Sequence, residues 1–349
     1  HAVRGANGAL TSPAGSGKLL AILIAAAVGV AALSHIGVRA EETRIQNALE
    51  KLEQTQGQVG DSGAVDAEQD ALTGLLPPGP RDQWVPDPSV AKQDLPTIYS
   101  EGCVQNTRDL PESAKVLVCP DVPGPDAKET SDTSGTRPKV VMGGGSHVMQ
   151  YYPAIRKIAD EEGWELIVID KDGCRLAVDN QAENQTDSCR KWNEEAPGVI
   201  LAQDPDAVIT LGSLTHGDEN IAETIPDAQV AAWQLLSDEG IPVVVMRDTP
   251  RFPFKVPECL QTESDPLQCS ATQETLYPVV DIFAEADLPE NVLTVDVTDS
   301  FCEDGFCPPV IGNIVVYRDA SHMTATFAKT LTAPIRAQLK EALPQLFSD

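Results

Sequence analysis

Lys139-Val140-Val141-Met142-Gly143-Gly144-Gly145-Ser146-His147 is the stretch on which the reading of this chain turns. A short apolar run ends in three glycines and a serine, and the residues after it, Val148 to Glu162, carry helical spacing. A strand, a tight turn and a helix in that order open a parallel α/β sheet. The alternation continues outward: Leu166 to Ile169 before Ser188 to Ala202, Ala207 to Leu211 before Ile225 to Glu239, and Val243 to Met246 before Thr272 to Ala286. Val292 to Val295 follows, and a last strand, Ile314 to Tyr317, precedes a helix from Ala320 to Leu343. The pattern predicts a three-layer α/β/α domain over residues 138–349 with a parallel sheet and no internal repeat. Such sheets bind ligands beyond the C-terminal ends of their strands. The chemistry is therefore sought at Gly143 to Ser146, Asp170 to Cys174, Gly212 to Thr215, Arg247 to Pro250, Asp296 to Asp299 and Arg318 to His322.

Histidine narrows the search, because only five occur. His1 opens the chain and His35 falls in an apolar run, which leaves His147, His216 and His322 for proton transfer near neutral pH. The three glycines permit a sharp turn with backbone amides near a substrate. Ser146 then stands where a helix begins, so an oxyanion formed beside it meets free N–H groups. Taken alone, Ser146 reads equally as a helix cap. Gly143, Gly145 and Asp170 also match part of a dinucleotide-binding fingerprint, but Val148 stands where its third glycine belongs. The last strand end carries Asp319-Ala320-Ser321-His322, an acid three residues before a histidine. That spacing lets Asp319 hold the Nδ1 proton of His322, so that the ring can take a serine proton. Together the two ends predict a Ser146–His322–Asp319 triad. The expected oxyanion donors are the amides of Ser146 and Gly173, with Gly212 and Ser213 as weaker candidates. His147 reads as a residue that orients the loop or lines the site, pointing away from Ser146, and His216 as an exposed loop residue. Arg247-Asp248 reads as a brace or as a holder of an anionic substrate group. Asn184-Gln185-Thr186 matches a glycosylation sequon, a pattern common by chance.

The rest of the chain sets the compartment. A net charge of −28 over 349 residues excludes a nucleic-acid partner, since phosphate binding needs basic patches. The chain opens on His1 rather than Met and reads as a piece of a longer protein. Leu19 to Val38 are twenty residues without Asp, Glu, Lys or Arg, enough to cross a hydrocarbon core of about 30 Å as a helix. A secretory signal has a similar basic start, but this run is longer and lacks a clean small-x-small cleavage site. Arg4 and Lys18 before it, and an acidic sequence after it, predict a single span with a cytoplasmic N-terminus. The expected organisation is a cytoplasmic segment 1–18, a transmembrane helix 19–38, a helix and linker 39–84, a disulfide-tied extension 85–137 and the domain 138–349. All eight cysteines lie beyond the span. An even count in an exported domain implies disulfides, and although on the order of a hundred connectivities exist, pairing of neighbours closes the shortest loops. That pairing gives Cys103–Cys119, Cys174–Cys189, Cys259–Cys269 and Cys302–Cys307. No Cys-x-x-Cys pair and no His at ligand spacing favours zinc, so no metal is expected.

The first motif and the final Asp-x-x-His resemble the SGNH hydrolase superfamily. From about Trp84 onward the chain is similar to the periplasmic SGNH domains fused behind acyltransferase family 3 membrane domains. The similarity rests on Asp94-Leu95-Pro96, Tyr99, Gly102-Cys103, Cys119, Gly144-Gly145-Ser146-His147 and Pro153-Ala154. It continues through Gly173-Cys174, Arg247-Asp248-Thr249-Pro250, Cys302, Cys307 and Asp319-x-x-His322. Two departures stand out. The family commonly has Gly-Asp-Ser where this chain has Gly144-Gly145-Ser146, and the block-three asparagine of the superfamily has no counterpart in Leu211-Gly212-Ser213-Leu214-Thr215. The resemblance implies a flavodoxin-like parallel sheet, in a cell-membrane protein whose C-terminal domain is extracytoplasmic and needs no cofactor. It would pass an acyl group, acetyl by expectation, to a hydroxyl of a cell-envelope carbohydrate or glycolipid. The donor would come from a membrane acyltransferase domain absent from this chain. An esterase with the same triad, or an envelope-binding module without catalysis, are the alternatives.

Overall fold

Five parallel strands lie side by side in the order β2-β1-β3-β4-β6: β1 Lys139–Gly144, β2 Glu165–Asp170, β3 Ala207–Leu211, β4 Val243–Met246 and β6 Val292–Val295. This is the flavodoxin-like order, in which the direction of travel across the sheet reverses between β1 and β3. The computed structural model describes residues 39–40, 42–52, 54, 75–102, 104–105, 110–124, 127, 137–178, 186–218, 220–277 and 281–348. Two compact units divide the chain, His1–Glu50 and Lys51–Asp349. In the first, residues 39–40 and 42–50 are helical and are labelled α1; in the second, residues 51, 52 and 54 are helical. The apolar run 19–38, Cys103 and the Asn184 sequon lie outside the described residues. Among the described residues no helix is long and apolar enough to cross a membrane.

Alternate side chains of each strand leave the sheet on opposite faces. Val140 and Met142 of β1, Leu166 and Val168 of β2, and Val244 and Met246 of β4 enter one core with Ile155 and Ile158 of α3 (Tyr152–Glu162). Phe327 of α8 (Ala325–Thr330) and Ile335 of α9 (Thr332–Ala342) close that side. Val141, Ile167, Ile169, Val208, Val243 and Val245 enter the other core, against Trp192 of α4 (Asp187–Leu201) and Trp233 of α5 (Asp227–Asp238). A strand buried on both faces reads as a continuous apolar run, which is why β1 to β4 were visible in the sequence; β6, at the edge, keeps Thr294 exposed.

Four expectations need correction. Ile314 to Tyr317 is not a strand of the sheet. Ile314–Val315 (β9) pairs antiparallel with Val310–Ile311 (β8) through Gly312-Asn313, and Gly312 takes φ 58°, the left-handed conformation that such a tight hairpin requires. Thr272 to Ala286 is not one helix: among its described residues only Gln273–Leu276 (α7) is helical, after the short strand β5, Ala271–Thr272. Pro278 disfavours a helical Tyr277, whose φ of −134° ends the turn. The last helix starts later than Ala320 and is split. Thr324 caps α8 by accepting the Phe327 amide at 3.1 Å, and Pro334 in α9 has no N–H to carry the helix back to Thr330. The helix expected over Val148 to Glu162 likewise begins as a separate turn, α2 (Ser146–Met149), before α3. α6 (Val256–Thr262) and β7 (Phe306–Cys307, paired with β5) add Val256, Leu260 and Cys307 to the first core.

The extension before the sheet is integral to the domain. Cys119 exchanges both main-chain hydrogen bonds with Val168, at 2.8 and 3.1 Å, and so covers the open edge of β2. Asp94 receives the Thr326 amide at 3.0 Å at the start of α8. The expected disulfides Cys174–Cys189, Cys259–Cys269 and Cys302–Cys307 are formed, and the expected partner of Cys119, Cys103, lies outside the described residues.

Candidate active site

Ser146 is the first residue of α2, carried by the turn Gly143-Gly144-Gly145 at the C-terminal end of β1. Its Oγ lies 2.9 Å from His322 Nε2, and His322 Nδ1 lies 2.9 Å from Asp319 Oδ2. The carboxylate can only accept, so Nδ1–H donates to it and Nε2 is left to accept the Ser146 proton. Asp319 and His322 do not stand on a helix. They occupy a tight loop closed by the Arg318 amide on the His322 carbonyl, 2.9 Å, and by a bridge between Tyr317 and Met323. Asp319 Oδ1 accepts the amides of Ser321 and His322, both at 2.8 Å. Burial pushes the Asp319 carboxyl up, but the bond and charge of His322 and these two amides outweigh it and hold it well below the usual carboxylate range. Burial dominates at His322 and lowers its pKa, and the bond to Asp319 recovers only part of the loss. The ring is therefore neutral at neutral pH, the state a general base needs.

A second histidine, His147, lies against the first, its ring centroid 4.4 Å from that of His322. His147 Nδ1 lies 2.6 Å from Asp248 Oδ1, and its Nε2 faces Arg251 Nη2 at 3.0 Å, an arrangement that suits a ring donating from Nδ1 and accepting at Nε2. Asp248 is wholly buried and fully used. Oδ1 also takes the Thr249 amide at 2.9 Å, and Oδ2 takes the Thr215 amide and hydroxyl, both at 3.0 Å. Burial raises the Asp248 carboxyl, but His147, the Thr215 amide and Arg251 outweigh it and bring it down to about 2. The loop Arg247-Asp248-Thr249 braces the catalytic loop as well. Thr249 Oγ1 donates to the Ser321 carbonyl at 2.6 Å, and Gln150 spans from Thr249 Oγ1 (3.0 Å) to the Met323 amide (2.8 Å). Arg247 is buried in ion pairs with Glu223 (2.7 Å) and Asp296 (2.8 Å), which leaves it unsuited to hold a substrate anion. The His147–Asp248 contact and the Arg247–Glu223 pair were not anticipated from the sequence. Their partners stand 101 and 24 positions apart, and no local motif joins them.

The amides sort the oxyanion candidates. Gly212 N–H is engaged with the Met246 carbonyl at 2.7 Å, and the buried Ser213 hydroxyl donates to Glu223 at 2.6 Å. The Gly212 amide is therefore not available. The amides of Ser146 and Gly173 donate to no main-chain oxygen among the described residues. Both residues line a cavity of ≈ 60 Å³ together with Thr210, Leu211 and Arg175. Gly173 has φ 71° at the third position of a turn closed by the Cys174 amide on the Lys171 carbonyl, 3.0 Å, where a left-handed glycine belongs. Cys174–Cys189 ties that turn to α4. Gly145 is the point of closest approach. A Cβ there would lie 2.5 Å from the Cys174 carbonyl and 2.9 Å from that of Lys171. The acid of a Gly-Asp-Ser motif therefore has no room in this chain, because the turn 171–174 occupies the space. Tyr99 of the extension reaches the same turn and donates to Asp172 at 2.9 Å. His216 is half-buried rather than exposed, and its Nε2 is enclosed. Among the described residues no cluster of His, Cys, Asp and Glu could hold a metal ion.

Comparison with known proteins adds three findings. The profile of a family described as "SGNH domain (fused to AT3 domains)" matches residues 103–337. No curated protein matches the chain. Among solved structures, the chain is similar to the periplasmic domain of the lipopolysaccharide acetyltransferase of Salmonella ser. Paratyphi A, with a TM-score of 0.49 and 13% identity over 73% of this chain and 97% of that one.

Proposed function

We propose that this chain, which belongs to the family of SGNH domains fused to AT3 domains, transfers an acyl group through a covalent intermediate on Ser146. His322 takes the Ser146 proton as Oγ attacks the donor carbonyl, and the oxyanion faces the amides of Ser146 and Gly173. Collapse breaks the donor's ester bond, and His322 returns the proton to the departing oxygen. The acceptor hydroxyl then gives its proton to His322 as it attacks the acyl-serine, and Ser146 is regenerated protonated. Asp319 keeps His322 in the required tautomer throughout. The observation that carries this reading is the unbroken Ser146–His322–Asp319 chain, 2.9 Å at each link, beside a cavity lined by Ser146 and Gly173, whose amides donate to no main-chain oxygen among the described residues.

The acyl group in this reading is acetyl. A cavity of ≈ 60 Å³ holds only a few water-sized occupants at the roughly 10–15 Å³ that each needs, which fits a short acyl chain. The acceptor is a hydroxyl of a cell-envelope carbohydrate or glycolipid, and a membrane acyltransferase domain delivers the donor. The domain works outside the cytoplasm behind a single membrane span, a placement supported by the three disulfides. The test is turnover of p-nitrophenyl acetate with and without added sugar, for the native chain and Ser146→Ala. The native chain is expected to turn over the ester, with sugar partitioning acetyl away from water, and Ser146→Ala to lose nearly all of it. Undiminished turnover in Ser146→Ala contradicts the proposal.

A further inference from the structure

Arg175 lines the cavity beside Ser146 and makes no hydrogen bond or ion pair among the described residues. It is the exception among the arginines around the site: Arg247 is locked between Glu223 and Asp296, and Arg318 lies 3.8 Å from Asp319. The carboxylate whose charge it feels most, Asp248, already holds four donors and has no lone pair left for a fifth. Arg251 stands close by. Its Nε and Nη2 are committed to the Thr215 carbonyl and His147, at 3.0 Å each, while Nη1 has no partner among the described residues. The loop carrying His216 packs directly on it, since a Cβ on Gly217 would lie 2.9 Å from Arg251 Cγ. His216 Nε2 is enclosed and also without a hydrogen bond among the described residues. Arg175 and His147 line the same cavity, and His147 Nε2 contacts Arg251 Nη2 at 3.0 Å, which brings Arg175, Arg251 and the His216 loop into one neighbourhood.

Such a set is unusual in a chain of net charge −28, whose field repels anions at large. Arg175 and Arg251 are half-buried, so their free donors are open to a ligand, whereas His216 Nε2 is enclosed and costly to leave unsatisfied. A guanidinium fork matches the planar carboxylate and the phosphate group. We propose that Arg175 and Arg251, with His216 beside them, form a subsite for an anionic group, a sugar carboxylate or a sugar phosphate, on the acceptor that takes the acyl group from Ser146. The inference rests on the acyl-transfer reading for the word acceptor, and its test does not depend on turnover.

The experiment measures binding to the full chain carrying Ser146→Ala, by calorimetry or ligand-observed NMR at low salt. Three probes are compared: methyl β-D-glucuronide, glucose 6-phosphate and methyl β-D-glucoside. At least one anionic probe is expected to bind roughly ten- to a hundredfold more tightly than the glucoside. The glucuronide and phosphate arms tell carboxylate from phosphate. That preference collapses in Arg175→Gln and is largely restored in Arg175→Lys. Equal binding of all three probes overturns the subsite, as does a preference that survives Arg175→Gln. So does an Arg175→Gln variant that loses ester turnover while its Ser146→Ala form keeps the anion preference, since Arg175 would then serve the oxyanion instead. A chain that binds glucuronide through Arg175 yet turns over no ester would sink the catalytic reading and leave the subsite standing.

Discussion

Restoring the family's acid at Gly145 is expected to damage this protein rather than improve it. A side-chain carbon at that position meets the carbonyls of Cys174 and Lys171 at 2.5 and 2.9 Å, where ordinary contact begins at 3.4 Å. Relief requires the turn 171–174 to retreat by about 0.5 to 1 Å, and neither backbone group can rotate out of the way as a side-chain tip would. The disulfide Cys174–Cys189 resists that movement. Gly145→Ala should therefore cost about 1–3 kcal/mol of stability, the usual range for overpacking. The retreating turn takes the Gly173 amide with it, and a misplacement of about 1 Å at a reacting centre costs on the order of a hundredfold in rate. Gly145→Asp adds a carboxylate to the same crowded space and should be worse on both counts. Thermal melts and kcat/KM on p-nitrophenyl acetate measure the two effects. A Gly145→Asp variant with native stability and native or higher turnover would refute the argument that the turn has replaced the acid.

Asp319→Asn should lower kcat by roughly 10³–10⁴-fold with little change in KM, because an amide can donate to Nδ1 and stabilise the wrong tautomer of His322. Steady-state kinetics on the folded variant reads this. The kcat/KM profile should rise with pH through a limb below the ordinary histidine value of 6.5 and stay flat through neutral pH, since burial lowers the His322 pKa and the base works deprotonated. A limb above 6.5 would contradict the sign of that shift. Asp248, brought down to about 2 in the fold, contributes of order 2 kcal/mol that is present above the unfolded carboxylate value and lost as pH falls toward 2. Chemical denaturation of Asp248→Asn against pH should accordingly lack that part of the native chain's acid destabilisation.

Much of the sheet was legible because β1 to β4 are apolar runs buried on both faces, and such runs have no other good home. The ends of β3, β4 and β6 fall where the apolar runs end. What misled was local chemistry outside the sheet. Ile314 to Tyr317 has the composition of a core strand, but Gly312-Asn313 before it turns it back on Val310-Ile311 as a hairpin. Pro278 and Pro334 each cut a helix that apolar spacing alone extends. At the site, Ser146, Asp319 and His322 announced themselves through strand-end position and Asp-x-x-His spacing. His147 did not disclose its partner, since Asp248 reaches it only after the chain has built β3 and β4 between them. The crowding at Gly145 is a property of the 171–174 turn and could not be read from the glycines themselves.

The central claim is that the Ser146 oxygen is a nucleophile. A fluorophosphonate probe, followed by peptide mapping, tests it without any knowledge of donor or acceptor. The native chain should take up one probe on Ser146, more slowly as the pH is lowered and His322 gains a proton, and Ser146→Ala should take up none. A folded native chain that stays unlabelled, or a probe found on another residue with Ser146 untouched, would contradict the account.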